Sequence, residues 1–175
     1  SMGVFNTILT LIESILLPRG ITSMEAGITG AVFVIAGVLG AVVLPVISDR
    51  LRRRAPFFAA SIIVLTPLYL GMAFVSGFLP LVLISGLAGF SIMGVAPILF
   101  QHGSEVAYPT QEGTSLGTIL LMGQISGVLF VFLFVALSAG FGSVIPPMLA
   151  VVAITAAEIP LTLKVKESPL LKRGE

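Results

Sequence analysis

Four polar side chains lie inside long apolar stretches, where they are placed to bind a solute or carry a proton. Three of them, Asn6, Thr10 and Glu13, fall on one helix face within roughly 60° of arc. An ionisable residue inside a membrane costs about 2.5 kcal/mol or more unless it is paired, protonated or hydrated. Glu13 is therefore the best single candidate for a cationic solute or a coupling proton. The alternative is that its carboxylate extends to the outer membrane interface.

The fourth polar side chain, Gln124, shares a narrow helical arc with Gly113, Gly117 and Gly127, at about 100° per residue. Two Gly-x-x-x-Gly spacings, 113–117 and 123–127, favour close approach of another helix. Because a glutamine is unfavourable against lipid, Gln124 either lines a wet cavity or bridges helices in a packed interface.

Composition excludes several other chemistries. The chain has no cysteine and one histidine, so disulfides, thiolate nucleophiles and histidine-rich metal sites are excluded. That histidine, His102, is expected at a helix end as a surface or loop residue, and Glu158 is expected to extend towards the membrane interface. Without a nucleophile or metal constellation, the sequence predicts no enzyme, no cofactor and no metal. A formal net charge of +1 carries no information about nucleic acid, and we expect no nucleic-acid partner.

The elements that position these residues are apolar and long. The chain is 57% hydrophobic and 10% charged, with a mean hydropathy of +1.15, whereas a soluble domain carries about 25% charged residues. About 20 apolar residues cross a bilayer as a helix. The sequence therefore predicts an all-α membrane protein, with helices near residues 3–17, 26–47, 55–75, 81–101, 114–137 and 144–163. The run from Thr22 to Glu25 predicts an N-cap for the second helix. Thr114 or Ser115 is the predicted N-cap of the fifth helix.

Charge distribution predicts the orientation. Of nine Lys and Arg residues, four follow the second segment, four follow the sixth, and only Arg19 lies elsewhere. Six crossings put both clusters on one side, which the positive-inside rule makes cytoplasmic. We thus expect a plasma or inner membrane protein with both termini in the cytoplasm. Residues 1–2 are typical of a tag scar, 3–165 form the membrane domain, and 166–175 form a cytoplasmic tail.

The turn after the second segment carries a recognisable motif. Residues 45–54 read Pro-Val-Ile-Ser-Asp-Arg-Leu-Arg-Arg-Arg and resemble the major facilitator signature Gly-x-x-x-Asp-Arg-x-Gly-Arg-Arg. The matching positions are Asp49, Arg50, Arg53 and Arg54, whereas Pro45 and Arg52 replace the two glycines. An aspartate at a helix C-terminus needs a positive partner. The resemblance implies that Asp49 helps to latch two transporter halves as a conformational gate; the alternative for the arginines is a topology anchor.

A second motif occupies the polar loop expected over residues 102–113 and the start of the fifth segment. It is similar to the string Glu-x-x-Tyr-Pro-x-x-Glu-Gly-Thr-Ser-x-Gly of the feline leukaemia virus subgroup C receptor-related branch of major facilitators. The matching positions are Glu105, Tyr108, Pro109, Glu112, Gly113, Thr114, Ser115 and Gly117. Members of that branch are described as choline, ethanolamine or haem transporters. We expect Glu105 and Glu112 to be solvated or to order the loop rather than to carry protons.

The resemblance implies a C-terminal half, helices 7–12, built from inverted three-helix repeats. Gln124 matches a cavity-lining glutamine of the branch. Asn6 and Glu13 stand where the branch has a tyrosine and an asparagine, which removes part of a cage for a quaternary amine. The expected function is alternating-access transport of a small polar or cationic organic solute, with an N-terminal half as partner. The alternative is a half-size protein that pairs with a second copy, as a transporter or a non-transporting assembly partner.

Overall fold

The chain forms a bundle of membrane-length helices. The structure is a computed structural model and describes residues 2–165, which leaves Ser1 and the expected tail at 166–175 outside the described residues. Its helices are α1 (Met2–Leu16), α2 (Ser23–Leu51), α3 (Ala55–Phe74), α4 (Phe78–Val106), α5 (Glu112–Phe141) and α6 (Ile145–Thr162), and a 3-10 turn (Leu17–Arg19) extends α1. All 6 are long and apolar enough to cross a membrane, counted over the described residues. The predicted all-α multi-pass membrane protein is confirmed.

The helix boundaries follow from local chemistry. Before α2, the hydroxyl of Thr22 accepts a hydrogen bond from the Glu25 amide at 3.3 Å, and the Glu25 carboxylate accepts one from the Thr22 amide at 2.9 Å. This capping box satisfies two amides that would otherwise lack partners, as the sequence predicted. The predicted cap for the fifth helix is wrong. Because α5 begins at Glu112, Thr114 and Ser115 already lie inside its first turn, and Gln111 before it makes no side-chain cap.

The predicted end of the fourth helix is also wrong. We expected a loop from His102 onwards, but α4 continues to Val106 and carries His102 and Glu105 within its last turns. The helix α4 also runs through Pro97 without interruption. A proline in a membrane helix is tolerated where neighbouring groups or local adjustments satisfy the freed backbone carbonyl. The polar loop is therefore shorter than expected.

Helix packing has an internal symmetry. The most extensive contact joins α2 to α4, and the next pairs are α3 with α6 and α1 with α5. The α3–α4 contact is almost as extensive as α1–α5 and lies outside the symmetry. Exchanging the first three helices with the last three converts the α2–α4 pair into α5–α1 and leaves α3–α6 unchanged. This is the pairing expected of two three-helix repeats. The core between the helices is made by fully buried side chains that include Ile8, Phe33, Leu65, Tyr69, Leu81 and Met148.

Candidate functional site

Two of the predicted solute-binding residues meet between α1 and α5. The side-chain amide of Asn6 donates a hydrogen bond to the side-chain oxygen of Gln124 over 3.3 Å. Asn6 is half-buried, whereas Gln124 is exposed. Gly127 makes room for this contact, because a Cβ there would lie 2.8 Å from the Asn6 amide nitrogen. The structure thus joins two residues that lie far apart in the sequence and places their amides at the edge of the bundle.

Thr10 and Glu13 lie further along α1, on its exposed side. They continue the face that begins at Asn6, which fits the expected shared arc. Glu13 makes no side-chain hydrogen bond or ion pair within residues 2–165. A solute between α1 and a facing element would therefore meet a carboxylate with unused acceptor positions.

The two Gly-x-x-x-Gly spacings of α5 behave differently. Gly123 lies beside Met2, with a Cβ position 3.0 Å from the Met2 sulfur, so the 123–127 spacing packs against α1. Gly113 and Gly117 have nothing within 4 Å of their Cβ positions. In the described part of the chain no other helix packs against the 113–117 spacing, so close approach there stays a prediction.

An apolar cavity of about 250 Å³ opens beside the start of α1. Met2 and Phe5 of α1, Ala41 of α2, and residues of α4 that include Met93 and Phe100 line it. Phe5 is the chain neighbour of Asn6. Neither Asn6 nor Gln124 lines this cavity, so the cavity and the amide pair are neighbouring but separate features of α1.

A cluster of charges joins the ends of α2 and α4. The guanidinium of Arg54, which precedes α3, forms an ion pair with Glu105 at 2.7 Å and a longer one with Asp49 at 3.6 Å. Arg54 is only 4% exposed and Glu105 16%, whereas Asp49 is 56% exposed. Both carboxylates lie in the last turn of their helices, where the helix dipole disfavours negative charge. One buried guanidinium therefore neutralises two helix ends.

This cluster corrects the expected role of Glu105. It is a half-buried helical residue paired with Arg54, not a solvated loop residue.

Tyr108 is 70% exposed, and the Tyr108–Pro109 peptide bond is cis. Glu112, by contrast, lies in the first turn of α5 at its positive end. Thr114 and Gly113 beside it are exposed, so the loop motif divides into a buried acid and an exposed turn.

Arg50, Arg52 and Arg53 are exposed, whereas Arg54 is buried. The turn that carries them closes through two backbone bonds, Arg52 N–H to the Asp49 carbonyl at 3.2 Å and Arg53 N–H to the Ser48 carbonyl at 3.3 Å. This pattern ends many helices and usually has glycine at the residue with positive φ. Here that residue is Arg52, with a φ of 50°. A side chain in this conformation costs about 1 kcal/mol relative to glycine.

Comparison with known proteins identifies the chain's relatives. No family model matches it. It is 31% identical over 148 residues to an uncharacterized MFS-type (major-facilitator-type) transporter of Caenorhabditis elegans, which covers 81% of this chain and 25% of that protein. It is 30% identical over 138 residues to a choline/ethanolamine transporter of Danio rerio, covering 74% of this chain and 28% of that protein. The chain is major-facilitator-like.

The match to these transporters is partial for each of them. An uncharacterized protein of Archaeoglobus fulgidus is 26% identical over 138 residues, which is 79% of this chain and 64% of that protein. The chain therefore spans just under two thirds of the archaeal relative and less than a third of the two transporters. Six helices paired as two repeats agree with one half of a major facilitator.

One polar region of this major-facilitator-like chain was missed by sequence reasoning. His102 is buried rather than on the surface, and its ring lies 5.3 Å from that of Phe58 in an edge-to-face contact. His102 and Glu158 line a second cavity of about 280 Å³ between α3, α4 and α6. Glu158 is half-buried there, so it does not simply extend to the interface as expected. A weak signal was present: no proline lies between Gln101 and Val106, although Gly103 disfavours a helix, and His102 lies about one helical turn from Glu105.

Proposed function

We propose that this chain is the C-terminal half, helices 7–12, of a transporter that moves a small polar or cationic organic solute by alternating access. In this proposal α1 and α5 line the solute path, and an N-terminal half completes it. The observation that carries it is the Asn6–Gln124 amide pair, which lies within apolar helices yet leaves Gln124 exposed. Such a pair is unfavourable against lipid, so a facing protein element or a wet cavity accounts for it.

The chemistry of this face agrees with a polar or cationic solute. Amide oxygens of Asn6 and Gln124 accept hydrogen bonds, and the Glu13 carboxylate further along α1 supplies negative charge. Thr10 lies between them on the same exposed side. A relative that carries the name choline/ethanolamine transporter supports the same class of solute. Glu13 is in this proposal either a solute ligand or a proton carrier.

We further propose that the Arg54 cluster serves as a conformational gate. The Arg54–Asp49 ion pair is long, at 3.6 Å, and its carboxylate is exposed. The Arg54–Glu105 ion pair is short, at 2.7 Å, and its carboxylate is only 16% exposed. Asp49 is therefore the carboxylate that exchanges partners when an opposing half approaches. Glu105 keeps Arg54 in place throughout. Cytoplasmic placement of this end, with Arg50 and Arg53 beside it, follows the positive-inside rule.

The experiment is solute flux by the complete transporter in proteoliposomes, measured with radiolabelled choline and ethanolamine, with and without a proton gradient. We expect Gln124→Ala and Asn6→Ala to lower flux at least tenfold, because each removes one half of the amide pair. Gln101→Ala is the matched control, since Gln101 is an exposed glutamine at the far end of α4. Unchanged flux in the Gln124 and Glu13→Gln variants would remove this site assignment.

A second candidate function rests on the archaeal relative. Its 138 aligned residues make up 64% of it, so it is about 215 residues long, the size of one half rather than of a whole facilitator. A half-size protein would complete the solute path with a second copy of itself. Cross-linking in native membranes tests this, because a single cysteine placed at Gly117, in a chain without cysteine, would link two identical chains only in such a dimer.

A further inference from the structure

The arginine-rich turn after α2 has three side chains that lie outside the ion pairs of the Arg54 cluster. Asp49 and Glu105 both pair with Arg54, and within residues 2–165 neither Arg50, Arg52 nor Arg53 forms an ion pair. All three are exposed at the end of a helix that is apolar enough to span a membrane. Three uncompensated guanidinium groups are therefore concentrated at the level where a bilayer has its headgroups.

The position of Arg52 adds a second observation. It stands at the left-handed residue of the helix-ending turn, with a φ of 50°, where glycine has no steric penalty. The resembled signature has glycine at this position. The backbone hydrogen bonds of the turn need no side chain from residue 52, and the Arg52 guanidinium makes no described contact that stabilises the fold. An arginine thus stands where the backbone conformation favours glycine.

The surroundings of the turn are those of a membrane surface. Leu51 lies between these arginines and is 60% exposed, and Ile47 one turn earlier is 40% exposed. These apolar side chains suit the acyl chains of a lipid, and the guanidinium groups of the same turn suit its headgroup. Guanidinium is the side-chain group best suited to phosphate, because it can donate two parallel hydrogen bonds to it.

We propose that Arg50, Arg52 and Arg53 form a binding site for the headgroup phosphate of an anionic lipid, in the leaflet at this end of the bundle. Each arginine contributes Coulomb attraction together with hydrogen bonds to phosphate oxygens. Leu51 contacts the upper part of the acyl chains. The site is separate from the solute path and does not depend on the transport proposal.

The test is native mass spectrometry of the purified chain in a neutral detergent, with dioleoyl phosphatidylglycerol or dioleoyl phosphatidylcholine. We expect a clear preference for phosphatidylglycerol. Arg52→Gln should weaken that binding about fivefold, the effect of one basic residue at a membrane surface. Arg52→Lys should cause a smaller loss, because it keeps the Coulomb attraction and removes the paired hydrogen bonds. Lys164→Gln is the matched control, because Lys164 is an exposed cation at the same end of the bundle.

Arg52→Gly separates lipid binding from folding. It should lose as much phosphatidylglycerol binding as Arg52→Gln, yet its thermal midpoint should be equal to or above that of the wild type, since glycine relieves the strained φ. Equal lipid preference in Arg52→Gln and the wild type would overturn the proposal, as would an equal loss in Lys164→Gln. Displacement of the lipid by inorganic phosphate at matched ionic strength would assign the site to free anions and overturn it too.

Discussion

The α2–α4 and α1–α5 pairs occupy corresponding places in the two repeats, but they are packed in different ways. Between α2 and α4, Gly89 meets the Phe33 carbonyl and Gly40 meets the Phe90 carbonyl, so main chain lies against main chain. Between α1 and α5, a Cβ at Gly3 would instead lie 2.6 Å from the Ser126 hydroxyl, and Gly127 faces the Asn6 side chain.

This difference separates a fixed contact from an adjustable one. Backbone atoms have no rotamers, so at Gly40 and Gly89 the α2–α4 pair cannot absorb an added side chain or a change of register. Side chains such as Asn6 and Met2 can change rotamer, so the α1–α5 pair can adapt. The pair that contains the proposed solute ligands is the adjustable one, and the pair that ends in the Arg54 cluster is the fixed one.

The largest effect is expected from Gly89→Ala in the fixed pair. Its Cβ would overlap the Phe33 carbonyl oxygen, and helix separation is the only relief. We expect a loss of about 3 kcal/mol in the free energy of unfolding, at the upper end of overpacking effects, measured by SDS titration in mixed micelles. Gly27→Ala is the control within α2, because its Cβ position has nothing within 4 Å. Equal losses in both variants would contradict a main-chain contact.

A smaller loss is expected from Glu105→Gln at the end of the same pair. It removes the 2.7 Å ion pair from the buried Arg54 guanidinium, and we expect a cost on the order of 2 kcal/mol. Asp49→Asn should cost less than about 1 kcal/mol, since that carboxylate is exposed and 3.6 Å away. Thermal unfolding of both variants checks the ranking. If Asp49→Asn were the more destabilising change, the Arg54–Glu105 ion pair would not be the stronger of the two.

Gly127→Ala tests the adjustable pair. The new methyl group would lie against the Asn6 side chain, which can rotate away at the expense of its bond to Gln124. We expect a loss of about 1 kcal/mol, well below that of Gly89→Ala. Gly117→Ala on the same helix is the control and should not destabilise the protein, because the space beside it is open. A loss as large as that of Gly89→Ala would remove the distinction between the two pairs.

The smallest effect concerns the amide hydrogen bond itself. A double-mutant cycle with Asn6→Ala and Gln124→Ala should give a coupling free energy of about 0.6 kcal/mol, the average for such bonds in membrane proteins. The flux loss expected for the same variants is far larger than this coupling implies. A coupling above about 2 kcal/mol would instead make the pair a structural bridge between α1 and α5.

Much of the fold was predictable because hydropathy depends on residue type alone. Six apolar stretches and their order follow from it, and so does the capping box at Thr22, a local pattern of two residues. The end of α4 was misplaced because residues 102–106 are polar enough to suggest a loop. What keeps them helical is tertiary, namely the contact of His102 with Phe58 and the ion pair between Glu105 and Arg54.

The candidate site was predictable as a set of residues but not as an arrangement. Asn6 and Gln124 could be selected one by one, since polar groups in membrane helices are rare. Their hydrogen bond depends on how α1 crosses α5, which a single sequence does not encode locally. The same holds for the four arginines of the turn. Only the structure separates Arg54, which is buried, from its three exposed neighbours.

The main-chain contact between α2 and α4 also has a mechanical consequence. α4 lines the apolar cavity, α2 carries the arginine turn, and Arg54 fastens their ends together. A tilt of α4 in response to cargo would therefore carry the arginine turn with it as one stiff body. A tilt of α4 within the bilayer would then displace the arginine turn at the level of the lipid headgroups. The charge of those headgroups would oppose or favour the displacement.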